Sequence, residues 1–145
     1  VVDVPGATGY KDTNFEGKAE YGLRALDNFD FVMIHVEAPD ECGHEGDFEE
    51  KVKAIENLDK RLLGKLLEGL EKLKEGWRLL VLADHPTPVE VRKHTPEPTP
   101  FVIAGEGVRP NEPDVFDEFA AAESGLLVDP GYKLLSLLLT EERSF

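Results

Sequence analysis

Apolar segments with the composition of β-strands alternate along the chain with segments of helical period. Phe29 to Val36 is aromatic and β-branched, Trp77 to Ala83 is almost continuously apolar, and Phe101 to Ala104 is a shorter run of the same kind. Strands that alternate with helices favour a layered α/β domain with a mainly parallel sheet. We therefore predict an α/β fold with three strands, the first of them central.

Capping residues and the period of the apolar positions mark the helices. Asn14 can cap a helix that reaches about Leu26, and Asp47 can cap a longer one. Apolar residues recur at helical spacing through the longer helix, at Val52, Ile55, Leu58, Leu62, Leu63, Leu66, Leu67, Leu70 and Leu73. Two shorter helices are predicted from about Val115 to Glu123 and from about Tyr132 to Thr140.

The chain has the length of one ordinary domain, and neither an internal repeat nor a linker rich in Gly and Ser divides it. We predict a single domain over residues 1–145. A sheet of three strands leaves an open edge unless further strands come from elsewhere. The chain also begins at Val1 without an initiator Met. We expect it to be part of a larger parent protein.

An excess of acidic residues limits the partners of the chain. Thirty Asp and Glu against 16 Lys and Arg give a formal charge of -14, which would repel nucleic acid and anionic membranes. This charge would also repel a phosphorylated metabolite, so a phosphate-handling site here needs cations, and bound metal is the natural supply. The single cysteine, Cys42, gives no support to an oxidising compartment, and no apolar run could span a bilayer. We expect a soluble, cytoplasmic protein.

Carboxylates and imidazoles cluster where two of the predicted strands end. Asp40 and His44 follow the first strand, Asp84 and His85 follow the second, and His94 lies on the proline-rich excursion after them. The carboxyl ends of strands in open α/β sheets form the crevice where ligands bind, so these side chains are expected to meet. Asp and neutral His suit Zn²⁺ or Mn²⁺. Five donors exceed what one tetrahedral ion takes, which favours two ions, as in phosphoryl-transfer and hydrolytic sites.

Structural interpretations compete with these functional ones. Asp-x-x-x-His is a loose spacing, and Asp84-His85-Pro86 could be a strand ending in a turn whose Asp caps backbone amides. His35 in mid-strand is interpreted as a hydrogen-bonded core histidine, and Cys42 as a small loop residue, since nothing marks an activating base beside it. The segment from Gly6 to Gly9 is interpreted as a turn, because it lacks the Lys-Ser/Thr of a P-loop.

Longer motifs carry a resemblance to a known family. The chain opens with Val4-Pro5-Gly6-Ala7-Thr8-Gly9-Tyr10, followed by Asp12-Thr13-Asn14 and Gly17-Lys18-Ala19. It continues with His35-Val36-Glu37-Ala38-Pro39-Asp40-Glu41 before Gly43-His44, and with Asp84-His85-Pro86-Thr87-Pro88 before His94-Thr95. Over nearly its whole length it resembles the archaeal-type cofactor-independent phosphoglycerate mutases of the alkaline phosphatase superfamily.

The resemblance implies a fold and a set of metal ligands. The fold is an alkaline-phosphatase-like layered α/β/α domain with a mainly parallel sheet, of which this chain would hold the C-terminal part, without the N-terminal half and the inserted lid domain. The cofactors are two divalent metal ions, Mn, Zn, Co or Mg. One ion would be held by Asp40, His44 and His94, and the other by Asp84 and His85.

The resemblance also implies an activity for the parent protein. The family is an isomerase of glycolysis and gluconeogenesis, which interconverts 3-phosphoglycerate and 2-phosphoglycerate through a phosphoserine intermediate. The family's serine nucleophile and N-terminal metal-binding Asp match no position here, so we expect this chain to be inactive alone, with one metal ion retained or none. Lys18 is the candidate match for an active-site lysine. Phosphoglycerate is the expected partner, and a homo-oligomer stays open.

Two other functions are also compatible with the sequence. Metal ligands alone do not choose the substrate, so the parent could be another phosphotransferase or hydrolase of the same superfamily. The chain could also be a non-catalytic acidic α/β interaction module, whose residues at the strand ends are structural caps or a partner surface.

Overall fold

A computed structural model describes residues 1–112 and 114–140, which form helices and one small sheet. They divide into two compact units. The first unit comprises Val1–Leu73 and Thr87–Thr95, and the second comprises Lys74–Pro86 and the described residues from Pro96 onward. The prediction of one domain over residues 1–145 stays a prediction.

The helices of the first unit begin at the predicted caps. Its helices are α1 (Phe15–Ala25), α2 (Ala38–Glu45), α3 (Phe48–Asn57) and α4 (Gly64–Leu70), with a π-helical segment at Leu58–Leu63. The Asn14 side chain accepts a hydrogen bond from the Gly17 amide at 2.9 Å, and the Asp47 side chain accepts one from the Glu50 amide at 3.0 Å. Each bond satisfies an amide that the first helical turn leaves without a partner, which confirms both caps.

The long helix predicted from Asp47 to Leu73 is present, but it is not uniform. The π-helical segment lies between α3 and α4, and α4 ends at Leu70. A π-helical turn adds one residue, so the buried face shifts along the sequence at this point. The spacing of the apolar residues does not reveal this shift, because the leucines between Leu58 and Leu70 are compatible with the position of the buried face both before and after it.

A tight cluster of mostly small side chains forms the core of the first unit. Phe15 is its largest member and is fully buried. The other buried members are Ala19, Ala38, Cys42, Ala54, Leu62 and Leu66. Because alanines occupy several of the helix contacts, the helices approach closely, and α2 is held firmly against the rest of the unit.

A bidentate ion pair joins α1 to the π-helical segment. Arg61 donates to the two carboxylate oxygens of Glu16 at 2.6 and 2.9 Å. The Arg61 hydrogen bond is the main reason that the pKa of Glu16 lies below its usual value of 4.5. Both side chains stay substantially exposed, at 43% for Arg61 and 39% for Glu16. Solvent therefore weakens the pair.

Replacing Glu16 with Gln is expected to lower the free energy of unfolding by less than about 1 kcal/mol at pH 7. A carboxyl group with a lowered folded-state pKa stabilises the fold above its unfolded-state pKa. That contribution disappears as the pH falls through the folded-state value. Urea unfolding at pH 7 and at pH 3 measures the change. A difference between the two proteins that is as large at pH 3 as at pH 7 would contradict the ion-pair explanation.

The predicted first strand, Phe29 to Val36, is wrong as a paired strand. Residues 31–37 carry no helix or strand assignment, and within the described residues no strand pairs with them. Their side chains nevertheless alternate as in a strand: Phe31 and Met33 are exposed, while Ile34 and Val36 pack against the core. The sequence pattern thus predicts the side-chain alternation correctly, but a strand also requires backbone partners that the described chain does not provide.

The second unit contains a two-stranded sheet, built from β1 (Arg78–Leu82) and β2 (Phe101–Gly105). The strands are antiparallel, with Arg78 opposite Gly105 and Leu82 opposite Phe101. Both strands were predicted, but the parallel pairing is wrong. The near-continuous apolar run suggested a parallel strand, yet β1 is only half-buried and Leu82 is 48% exposed. The described residues therefore show a small antiparallel sheet and not a parallel sheet of three strands.

Two short helices complete the second unit. They are α5 (Glu118–Glu123) and α6 (Lys133–Leu139), close to the predicted positions. The Asp117 side chain caps α5 by accepting from the Ala120 amide at 2.7 Å. Leu134 and Leu138 are the buried residues of α6. Among the described helices none combines the length and the apolar composition that a bilayer crossing requires.

Candidate metal centre

Helix α2 places Asp40 and His44 one turn apart on the same helical face. Pro39 is tolerated because it lies in the first turn, where an amide has no helical partner. Ala38 and Cys42, also four residues apart, bury the opposite side of the helix in the core. Gly46 ends the helix at φ 75°, a conformation that favours glycine. The spacing Asp-x-x-x-His is therefore that of one helical turn.

The segment Thr87–Thr95 brings His94 to the same place. Arg92 adopts a left-handed backbone conformation with φ 57°, and its carbonyl oxygen lies 3.1 Å from Nδ1 of His44. A carbonyl can only accept, so Nδ1 of His44 must donate. In neutral His44 the lone pair is then on Nε2, the nitrogen that faces His94 and Asp40. This is the orientation that metal-binding histidines have when a backbone carbonyl fixes their other nitrogen.

The donor atoms of Asp40, His44 and His94 have the spacing of ligands around one small cation. Nε2 of His44 lies 3.1 Å from Nε2 of His94, and each of these nitrogens lies 3.4 Å from an oxygen of Asp40. Two ligands at 2.0–2.1 Å from a tetrahedral Zn²⁺ would be about 3.3–3.4 Å apart. The three residues therefore fit a divalent ion in both ligand type and separation.

The three side chains are open to solvent. Their exposed fractions are 30% for Asp40, 38% for His44 and 52% for His94. Ligands buried on all sides are typical of closed structural sites, whereas catalytic sites leave coordination positions accessible. The exposure therefore suits an ion that also contacts a substrate or further ligands.

Asp84 and His85 lie in the second unit, separated from the end of β1 by Ala83 alone. Nε2 of His85 is 3.5 Å from a carboxylate oxygen of Asp84. The strand does end just before these two residues, as the sequence indicates. Their meeting with Asp40, and the second ion that they would hold, stay predictions.

The structure corrects two interpretations of single residues. His35 is not a core histidine: its side chain is 61% exposed and lies 3.5 Å from the carboxylate of Glu37. Cys42 lies in helix α2 and not in a loop. Burial raises the pKa of the Cys42 thiol, which disfavours the thiolate needed by a nucleophile. We therefore interpret Cys42 as a structural residue of α2 and not as a nucleophile.

Two further predictions concern the N-terminal motifs. The chain turns at Pro5 and Gly6, where the Ala7 amide donates to the Val4 carbonyl at 3.0 Å, so the predicted turn begins before Gly6 and does not extend over the whole segment to Gly9. Lys18 lies in α1 and donates to the backbone carbonyl of His35 at 2.6 Å. The lysine thus holds the extended segment before α2. Its catalytic role stays a prediction.

Residues that sequence reasoning left without a role also belong to the site. The Thr87 hydroxyl donates to Asp40, and the Thr87 carbonyl accepts from Lys51 at 2.6 Å. The Arg92 carbonyl fixes His44. The only sequence signal for Thr87 was its place directly after Asp84-His85-Pro86, and Lys51 and Arg92 had none, because their contribution depends on tertiary contacts.

The chain is similar to known proteins over nearly its whole length. A family model described as the Metalloenzyme superfamily matches residues 1–142. A 2,3-bisphosphoglycerate-independent phosphoglycerate mutase from Methanothrix thermoacetophila is 50% identical over 139 residues, which cover 96% of this chain and 36% of that protein. The phosphoglycerate mutase 2 of the same kind from Methanothermobacter thermautotrophicus is 46% identical over 138 residues, covering 95% of this chain and 34% of that protein.

A solved structure is also similar along the whole chain. The PH0037 protein from Pyrococcus horikoshii is 31% identical and superimposes with a TM-score of 0.88, covering 100% of this chain and 44% of that one. The chain spans about a third of the length of the curated relatives it matches. The fold of the matching part is thus shared, while these relatives contain much polypeptide beyond it.

Proposed function

The chain belongs to the Metalloenzyme superfamily, and on that premise we propose that it is the metal-binding C-terminal portion of a cofactor-independent phosphoglycerate mutase. The main support for this proposal is the cluster of Asp40, His44 and His94, whose donor atoms all lie within 4.8 Å of one another. The mutases named above are similar over 95–96% of this chain, and therefore over the segment that holds the cluster. The proposed reaction interconverts 3-phosphoglycerate and 2-phosphoglycerate, and the chain alone is inactive.

The residues of the cluster hold and orient one divalent cation in this proposal. Asp40 contributes a negative charge, and both histidines contribute Nε2 lone pairs. When bound, the metal supplies positive charge that stabilises a migrating phosphoryl group. The chain itself carries a formal charge of -14, so without cations it would repel a phosphorylated substrate. Zn²⁺ and Mn²⁺ suit this mixed set of oxygen and nitrogen donors best.

We extend the proposal to the other residues that the resemblance singles out. Asp84 and His85 would hold a second ion, together with ligands from polypeptide outside this chain. Lys18 would contact the substrate. The Asp84 side chain stays 72% exposed beside His85, which suits a ligand that completes its site with further residues.

A chimera tests the proposed activity. This chain would replace the matching segment of the mutase from Methanothrix thermoacetophila, whose sequence is 50% identical there. We expect the chimera to convert 3-phosphoglycerate to 2-phosphoglycerate, followed by phosphorus NMR, and the 145-residue chain alone to be inactive. The Asp40→Ala chimera should lose the activity, because a missing ligand removes the charge that stabilises the transition state.

The same assay separates the rival functions. A folded chimera that binds metal but hydrolyses phosphate esters without isomerising 3-phosphoglycerate would support another phosphotransferase or hydrolase. An Asp40→Ala chimera as active as the unchanged chimera would contradict the role of the cluster. The intact relative provides the control for the assay.

A further inference from the structure

A buried threonine contacts the carboxylate of the candidate metal centre. Thr87 is 5% exposed, and its hydroxyl donates a hydrogen bond to Oδ1 of Asp40. The same carboxylate faces His94 through Oδ1 and His44 through Oδ2, at 3.4 Å in each case. A carboxylate can rotate about its side-chain bonds, so a donor fixed beside one oxygen restricts the direction of both.

Thr87 is itself held from a second side. Nζ of Lys51, on α3, donates to the Thr87 carbonyl at 2.6 Å. Thr87 therefore links two helices: its main chain is bound to α3, and its side chain is bound to Asp40 on α2. Restraint at both ends gives the hydroxyl a defined position relative to the carboxylate.

A glycine makes this close approach possible. A Cβ atom at Gly43 would lie 2.3 Å from the Thr87 carbonyl oxygen and 2.9 Å from its Cγ2 atom. Only glycine, which has no Cβ, allows the backbone of Thr87 to pack this closely against α2 at position 43. Gly43 directly precedes His44, so the contact lies between the two ligands of the helix.

Thr87 also begins the segment that carries the third ligand. Residues 87–95 belong to the first unit, and they contain both the Arg92 carbonyl that accepts from His44 and the side chain of His94. Anchoring this segment at Thr87 therefore supports all three ligands. Groups that orient metal ligands in this way commonly change metal affinity by about 10–100-fold when they are removed.

We propose that Thr87, held in place by Lys51, is a positioning residue of the metal centre, whose hydroxyl directs the Asp40 carboxylate toward the two histidines. The inference rests on the proposed function, because it requires that the cluster of Asp40, His44 and His94 binds a cation. It adds two residues to the site, Thr87 and the lysine that donates to the Thr87 carbonyl.

The test is a calorimetric titration of the full chain with Zn²⁺ and with Mn²⁺. Thr87→Val keeps the size and branching of the side chain but removes the hydroxyl, and is expected to weaken binding by about 10–100-fold. Thr87→Ser keeps the hydroxyl and should bind almost as the unchanged chain does. Lys51→Met removes the ammonium group that donates to the Thr87 carbonyl, and should weaken binding by about tenfold, the lower end of that range.

A matched control separates positioning from a general loss of structure. Thr13 is another buried threonine of the first unit, and its hydroxyl oxygen accepts from the Thr8 amide at 3.0 Å. Thr13→Val should leave metal affinity unchanged. The unfolding temperature of each metal-free variant supplies the second readout: positioning predicts weaker binding by Thr87→Val at an unfolding temperature close to that of Thr87→Ser.

Each outcome has a defined meaning. Metal binding by Thr87→Val that equals binding by the unchanged chain would overturn the inference and leave the proposed function standing. An unchanged chain that binds neither ion would overturn the inference, whereas the activity of the chimera decides the proposed function separately. If circular dichroism shows that Thr87→Val is unfolded, Thr87→Ala, which also removes the hydroxyl, replaces it: binding weaker than that of Thr87→Ser supports the positioning role, and equal binding overturns it.

Discussion

Replacing both histidines of the cluster, by His44→Ala and His94→Ala in one chain, is expected to weaken Zn²⁺ binding by more than about 100-fold. Removing a group that merely orients a ligand costs about 10–100-fold, and the double substitution removes two of the three ligands themselves. The remaining carboxylate of Asp40 is one oxygen donor group on a solvent-exposed surface, which does not hold Zn²⁺ tightly.

Calorimetry and thermal unfolding measure this loss independently. At a free Zn²⁺ concentration of about 100 times the dissociation constant, binding stabilises a folded protein by about 2.7 kcal/mol. The unchanged chain should therefore unfold at a higher temperature with Zn²⁺ than without it, and the double variant should not. His35→Ala is the matched control, because His35 is exposed and pairs with Glu37 outside the cluster. Equal affinities of the double variant and the unchanged chain would contradict the proposed ligands.

Phe15→Ala is expected to lower the free energy of unfolding of the first unit by about 3–5 kcal/mol. Phe15 is fully buried and is the largest side chain in a core made mostly of alanine and leucine. Its removal leaves a cavity that small neighbours cannot fill. The guanidinium of Arg61, 5.3 Å from the ring centre, also loses its aromatic partner. This change is a large share of the 5–15 kcal/mol that typically stabilises a folded domain.

Urea unfolding followed by circular dichroism measures the change. Phe48→Ala is the control: this phenylalanine lies in the same unit but is 66% exposed. We expect the control to change the free energy of unfolding by less than about 0.5 kcal/mol. A loss in Phe15→Ala no larger than that of the control would show that the described core does not stabilise the first unit.

The helices could be predicted from local chemistry. Asn14 and Asp47 cap α1 and α3, because short polar side chains satisfy amides that the first turn leaves open. The period of the leucines identified the long helical region correctly. These signals act over three or four residues, so they do not depend on the rest of the chain. The π-helical segment at Leu58–Leu63 escaped notice, since one extra residue leaves the leucine pattern almost unchanged.

Strand pairing could not be predicted in the same way. The segment Phe29 to Val36 has the residues of a strand and alternates in burial, yet its backbone is paired with no strand in the part of the chain that the structure describes. The direction of β2 relative to β1 depends on how the proline-rich excursion returns, which apolar composition does not encode. Pairing and direction are long-range properties, whereas alternation is a local one.

In the candidate site, too, local features could be predicted from the sequence and long-range contacts could not. Ligand chemistry and the family motifs identified Asp40, His44 and His94, and the structure brings these three together. The spacing of Asp40 and His44 is loose as a sequence motif, because short motifs often occur by chance, but in the structure it corresponds to one turn of α2. The roles of Thr87 and Lys51 could not be predicted, because the contact of Thr87 with Asp40 joins residues 47 positions apart and the contact of Lys51 with Thr87 joins residues 36 positions apart.

Anomalous X-ray scattering from crystals of this chain grown with Zn²⁺ tests the metal centre most directly. Data collected at the zinc absorption edge should show a peak at about 2.0–2.2 Å from Nε2 of His44, Nε2 of His94 and an oxygen of Asp40. A zinc peak on other residues, with these three side chains left without metal, would contradict the proposed centre.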